Sequence, residues 1–138
     1  MERCLVLAQQ AKTKGHTAVG ALIVRGQEII AEGQEGEEAL PDMMSHAENI
    51  AILKASQRLN STTLDHCRLY TTVEPCFMCS YLIRQTQLEA VIYGTTTPAG
   101  GDSSPYPILK AQDIGPWSKT PIVTAGILQA ACEALLKK

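Results

Sequence analysis

The sequence predicts an α/β sandwich, with helices on both faces of a mixed sheet. Two observations carry the prediction. Segments of strand character alternate with segments of helical periodicity, and stacking helices onto a sheet buries the apolar side of both. The chain has 138 residues, 45% of them hydrophobic and 19% charged, so residues 1–138 are expected to form one domain with one core.

Residues 2–13 place Leu5, Val6 and Ala8 at helical spacing, and Gly15 offers a stop. Residues 18–24 form an apolar run containing Val and Ile, the mark of a buried strand. Arg25-Gly26-Gln27 suits a hairpin turn into a second strand at 28–31. Residues 33–41 are polar and glycine-bearing, and this loop carries Glu35, Glu37 and Glu38 toward the next element. A second helix is expected with Ser45 as N-cap and Glu48 reaching back in a capping box. Ala47, Ile50, Ala51, Leu53 and Ala55 give it a packing face.

After a loop at 60–63, residues 68–73 read as a strand that delivers Glu74-Pro75 to the Cys76-Phe77-Met78-Cys79 segment. Cys76 and Cys79 stand at i and i+3, so the start of a third helix would put both sulfurs on one side. Residues 90–93 are a further strand, ended by Gly94. Residues 95–106 are rich in Thr, Pro, Gly and Ser and form a long loop, a type that tends to carry function. A short helix is expected at 108–112, a last strand at 121–123, and a final helix at 127–136 capped by Thr124.

Composition narrows the class. Five cysteines in a chain with no basic-then-apolar leader fit a cytoplasmic protein, where a C-x-x-C pair binds metal more often than it forms a disulfide. No apolar run is long enough to span a membrane. Net charge is −2 with a pI near 5.9, and no Lys/Arg cluster stands out, which disfavours nucleic acid as partner.

The chemistry concentrates in Ser45-His46-Ala47-Glu48 and Glu74-Pro75-Cys76-Phe77-Met78-Cys79. Zinc takes nitrogen and sulfur ligands tetrahedrally, and a catalytic site keeps the fourth position open. His46, Cys76 and Cys79 would supply three ligands for one Zn²⁺. Glu48 follows the histidine by two residues, which on a helix places it off the histidine's face, as suits a proton carrier. H-x-E followed by P-C-x-x-C is the zinc nucleobase deaminase signature. A structural zinc site closed by His66 or Cys67 is the plainer alternative; elsewhere Cys4 and Cys132 suit packing and His16 a loop.

With these motifs the chain resembles the cytidine deaminase superfamily, in the branch of tRNA adenosine, guanine and fungal cytosine deaminases. Also matching are Val19-Gly20-Ala21, Glu32-Gly33, Leu69-Tyr70-Thr71-Thr72 and Gly126-Ile127-Leu128. The resemblance implies a mixed five-stranded sheet, an active site at the N-termini of the second and third helices, and a homodimer. It implies that His46, Cys76 and Cys79 hold zinc and that Glu48 moves protons. Glu48 would take a proton from water, pass it to a ring nitrogen, and protonate the departing amine.

The substrate pocket is expected to involve Glu35, Ala47, Glu74, Pro75 and Phe77, with Tyr106 and Trp117 available to stack on a base. One position departs from the family. Eleven residues before the zinc histidine the family carries a substrate-contacting asparagine, and here Glu35 stands instead. An ionised carboxylate only accepts hydrogen bonds, so it welcomes an N–H and repels a ring carbonyl. The leading expectation is therefore hydrolytic deamination of a small aminated heterocycle, a free base, nucleoside or analogue, with guanine-type favoured over cytosine. The alternatives are a tRNA wobble adenosine-to-inosine deaminase and a non-catalytic zinc-stabilised binding module.

Overall fold

A computed structural model of the chain describes residues 1–112 and 119–137. The elements run α1 (Glu2–Thr13), β1 (Gly20–Arg25), β2 (Glu28–Gln34), α2 (Ala47–Leu59), β3 (Cys67–Val73), α3 (Phe77–Thr86), β4 (Ala90–Thr95), β5 (Ile122–Thr124) and α4 (Gln129–Leu136). The five strands form one sheet in the order β2-β1-β3-β4-β5. β1 pairs antiparallel with β2 and β3, whereas β3–β4 and β4–β5 are parallel. The expected mixed five-stranded sheet is thus present.

The ladder explains the layers. Gly20 pairs with Gln34 and Ala21 with Gly33, and successive pairs face opposite sides of a sheet. A side chain on Gly20 would run into Cys4 and Ala8 of α1, and one on Gly33 into Ala47 and Ala51 of α2. Each helix therefore lies close on its own face because the strand offers no side chain there. α4 packs against β4 and α1, and α3 against α2. Ile23, Leu69, Val91 and Tyr93 from the central strands are buried with Ala51, Ala55 and Ile83 from the helices. No helix among the described residues is long and apolar enough to cross a membrane.

Several local expectations fail, among them two strand ends: β2 runs on through Gly33 and Gln34, and β4 passes Gly94 to Thr95. The capping box is not formed, because α2 begins one residue after His46, its N-cap. A 3₁₀ turn at Asp42–Met44 swings Ser45 aside, and its hydroxyl donates to the Glu37 carbonyl. Residues 108–110 make a single turn in place of a helix, and the Leu109 N–H donates to the Gly101 carbonyl across the loop. The last helix starts at Gln129, since Leu128 is left-handed at φ 52°, and Thr124 belongs to β5. Trp117 lies outside the described residues.

Candidate active site

Two helix N-termini converge beyond the C-terminal end of β3. The chain leaves β3 at Val73, and Cys76 follows as the extended N-cap of α3 (φ −68°, ψ 178°). His46 occupies the same position on α2 (φ −81°, ψ 143°). Both side chains leave the backbone at the positive end of a helix dipole. Cys79, one turn into α3, comes round to the side of Cys76, as its i+3 spacing predicts.

Three donor atoms meet there. His46 Nδ1 lies 3.5 Å from Cys76 Sγ and 3.5 Å from Cys79 Sγ, and the two sulfurs are 3.6 Å apart. Zinc bonds of about 2.3 Å to sulfur and about 2.0 Å to nitrogen give tetrahedral edges of about 3.5–3.8 Å, so the triangle fits three corners of a zinc site. Among the described residues this is the cluster close enough to hold a metal ion. Neither residue suggested as a closing ligand joins it. Cys67 pairs with Arg25 at the opposite end of β3, and the His66 side chain is 82% exposed. The Cys76 thiol is drawn down to about 5 by the hydrogen bond from Cys79, with the N–H groups of residues 78 and 79 and the His46 ring assisting. Its thiolate, the metal-ligating form, is thereby favoured.

Glu48 sits beside the triangle, outside it. One carboxylate oxygen, Oε2, is 3.9 Å from Cys79 Sγ, while Oε1 is 3.1 Å from the Thr71 hydroxyl. The residue is 4% exposed, and burial, with the Glu35 charge adding, pushes its carboxyl up to about 8. A carboxyl that changes protonation near neutrality suits proton transfer. Thr71 stood in the sequence only as part of the family match, with no role at the site. The available signal was the Thr71-Thr72 pair, two polar residues in a buried strand that need partners.

The expected pocket residues separate into two groups. Glu35 does reach the site: its Oε1 accepts the Ala47 N–H at 2.9 Å, capping α2 beside His46. Burial raises its carboxyl and the Ala47 bond opposes that shift. The Ala47 N–H is therefore engaged within the protein. Phe77 is half-buried and meets the exposed Tyr106 ring edge-on, with centroids 6.1 Å apart.

Glu74 and Pro75 turn away from the expected role. Glu74 is 1% exposed and its oxygens accept from the N–H groups of Thr97, Asp102 and Ser103 and from the Ser103 hydroxyl. The Pro75 carbonyl accepts from the Gly101 N–H and the Ser80 hydroxyl. Both residues hold loop and helix through these bonds.

The family model described as the cytidine and deoxycytidylate deaminase zinc-binding region matches residues 1–95. A tRNA-specific adenosine deaminase of Aquifex aeolicus is 43% identical over 103 residues, which cover 74% of this chain and 68% of that one. Its namesake in Bacillus subtilis is 30% identical over 136 residues, 99% of this chain and 83% of the relative. A solved structure from a study of A-to-I editing by tRNA:A34 deaminases superposes with a TM-score of 0.90 at 28% identity, covering 99% of this chain and 97% of that one.

Proposed function

Because the chain belongs to the cytidine and deoxycytidylate deaminase zinc-binding family, we propose that it deaminates the wobble adenosine of transfer RNA to inosine. It is a zinc-dependent hydrolytic deaminase acting on a C–N bond. The observation that carries the tRNA reading is likeness along the whole chain: 99% of it aligns with a tRNA-specific adenosine deaminase, and 99% superposes on a tRNA:A34 deaminase structure.

This corrects two expectations drawn from the sequence. A small free heterocycle was expected as substrate, with nucleic acid disfavoured, and the named relatives overturn both. The physical reason lies in what the sequence features measure. A net charge of −2 sums the whole surface, whereas RNA would meet one face. Enzymes of this chemistry also flip the target base into a pocket, so the metal motifs are the same for a free base and a polymer.

In this reading His46, Cys76 and Cys79 hold zinc, which when bound supplies the Lewis acidity that makes water nucleophilic near neutral pH. Glu48 would take a proton from that water and deliver it to N1 of adenine as the water oxygen adds to C6. It would then take the remaining hydroxyl proton and pass it to the amine, which leaves as ammonia as the C6–N bond breaks and the carbonyl forms. Thr71 orients the Glu48 carboxylate through its hydroxyl. Phe77 and Tyr106 offer aromatic surface beside the metal-bearing turn, where an extruded or neighbouring base can stack. We further place the protein in the cytoplasm, as a homodimeric single domain.

The test is inosine formation in an anticodon stem-loop RNA with adenosine at the wobble position. Zinc-loaded protein should convert that adenosine alone, leaving a stem-loop with adenosine elsewhere unchanged. No inosine from the wild type would overturn the reading.

A further inference from the structure

Glu74 holds an unusual amount of loop for one side chain. Its Oε1 accepts the Thr97 N–H at 3.1 Å and the Ser103 hydroxyl at 2.7 Å. Its Oε2 accepts the N–H groups of Asp102 at 2.8 Å and Ser103 at 2.7 Å. A buried carboxylate is costly unless satisfied, and here the four donors come from both ends of one loop. Removing the acceptor would leave three backbone N–H groups without a partner at once.

The same loop is fastened to the metal-bearing turn at neighbouring points. Gly100 bridges Cys76, the Gly101 N–H donates to the Pro75 carbonyl, and the Tyr106 ring meets Phe77. The packing leaves no slack. A Cβ on Gly100 would lie 2.0 Å from the Glu74 carboxyl carbon, and one on Gly101 would lie 2.0 Å from the Ser80 hydroxyl. Gly100 and Gly101 thus lie too close to Glu74 and Ser80 to carry any side chain.

We infer that Glu74 is a positioning residue, an internal hydrogen-bond acceptor that registers the 97–103 loop against the metal-bearing turn so that the loop forms a wall of the substrate site. The Glu74 carboxylate bonds to Thr97, Asp102 and Ser103 and to none of the metal-ligand side chains, so it acts through the loop it holds. The kinetic consequence rests on the tRNA reading above, whereas the anchoring can be measured without any substrate. Loss of the anchor should loosen substrate binding more than the chemical step, because His46, Glu48, Cys76 and Cys79 are supported by their own helices.

Zinc-loaded wild type, Glu74→Gln and Ser103→Ala are compared by amide exchange and by kinetics on the wobble stem-loop. Glutamine keeps one acceptor oxygen and turns an N–H₂ toward the donors, so exchange across 97–103 should accelerate about tenfold or more while α2 is unaffected. Ser103→Ala removes one of the four bonds and should give a smaller change of the same sign, which keeps the inference testable if Glu74→Gln fails to fold. KM should rise about tenfold in Glu74→Gln, with kcat within about threefold of wild type and zinc retained. Unchanged loop exchange in both variants overturns the anchoring. A fall in kcat at constant KM, or loss of zinc, overturns the wall role. Inertness of the wild type toward the stem-loop, with the exchange response intact, overturns the functional reading and leaves the anchor standing.

Discussion

The Thr71 hydroxyl stands 3.1 Å from Glu48 Oε1 and 3.0 Å from the Val73 carbonyl, one proton between two acceptors. An ionised Glu48 accepts a hydrogen bond from that hydroxyl. A protonated Glu48 can instead donate to Thr71, which then donates to Val73. The hydroxyl therefore remains satisfied in either state of a proton carrier, and the carboxyl keeps its orientation through the cycle. Thr71→Val removes this adaptability at nearly constant volume. We expect kcat to fall about tenfold with zinc content unchanged, measured by steady-state kinetics and metal analysis.

Glu48→Gln removes the carboxylate proposed to carry protons and leaves the three donor atoms of the metal cluster intact. Its kcat should drop by about 10²–10⁴, with a folded, zinc-bearing protein recovered. Near-normal turnover in this variant would falsify the assigned role.

Removing a ligand should act differently. Cys79→Ala leaves two donor atoms of the triangle, so zinc should fall well below one per chain and activity with it. In the wild type, a chelator should abolish activity and added zinc restore it, because a reversibly bound metal supplies the chemistry. Metal content and activity, followed together in one titration, check this.

The contact between β2 and α2 is fixed by backbone. A Cβ on Gly33 would approach the Ala47 carbonyl to 2.3 Å and the Ala51 N to 2.8 Å, and neither atom can rotate away. Gly33→Ala should cost about 1–3 kcal/mol or more in chemical denaturation. Activity should fall further than stability alone requires, since α2 carries Glu48 and starts directly after His46.

The Arg3–Glu32 ion pair joins α1 to β2, and the hydrogen bond from Arg3 holds the Glu32 carboxyl below its usual range. A depressed carboxylate stabilises the fold above its unfolded value and loses that contribution as pH falls through its folded value. The wild type should thus exceed Glu32→Gln in urea midpoint near pH 7, by the small margin of an exposed pair, and the gap should close below about pH 4. A gap that widens in acid would reverse the assignment.

The metal chemistry was legible in the chain because it depends on residue type and local spacing. Cys76 and Cys79 at i, i+3, with His46 ahead of Glu48, define a donor set that any helix start would present to one side. The sheet and its helices were legible for a similar reason, since burial writes a period into the sequence. Tertiary structure decided what depends on contacts between distant residues. Glu35 became the cap of α2 because the loop brings it to the Ala47 N–H, while the local candidate Ser45 turned to Glu37. Glu74 sits in the metal motif by sequence, yet its partners lie at 97, 102 and 103, and only the fold brings those donors to it. Substrate size was the least legible property, because a flipped base and a free one meet the same zinc, the same Glu48 and the same pocket.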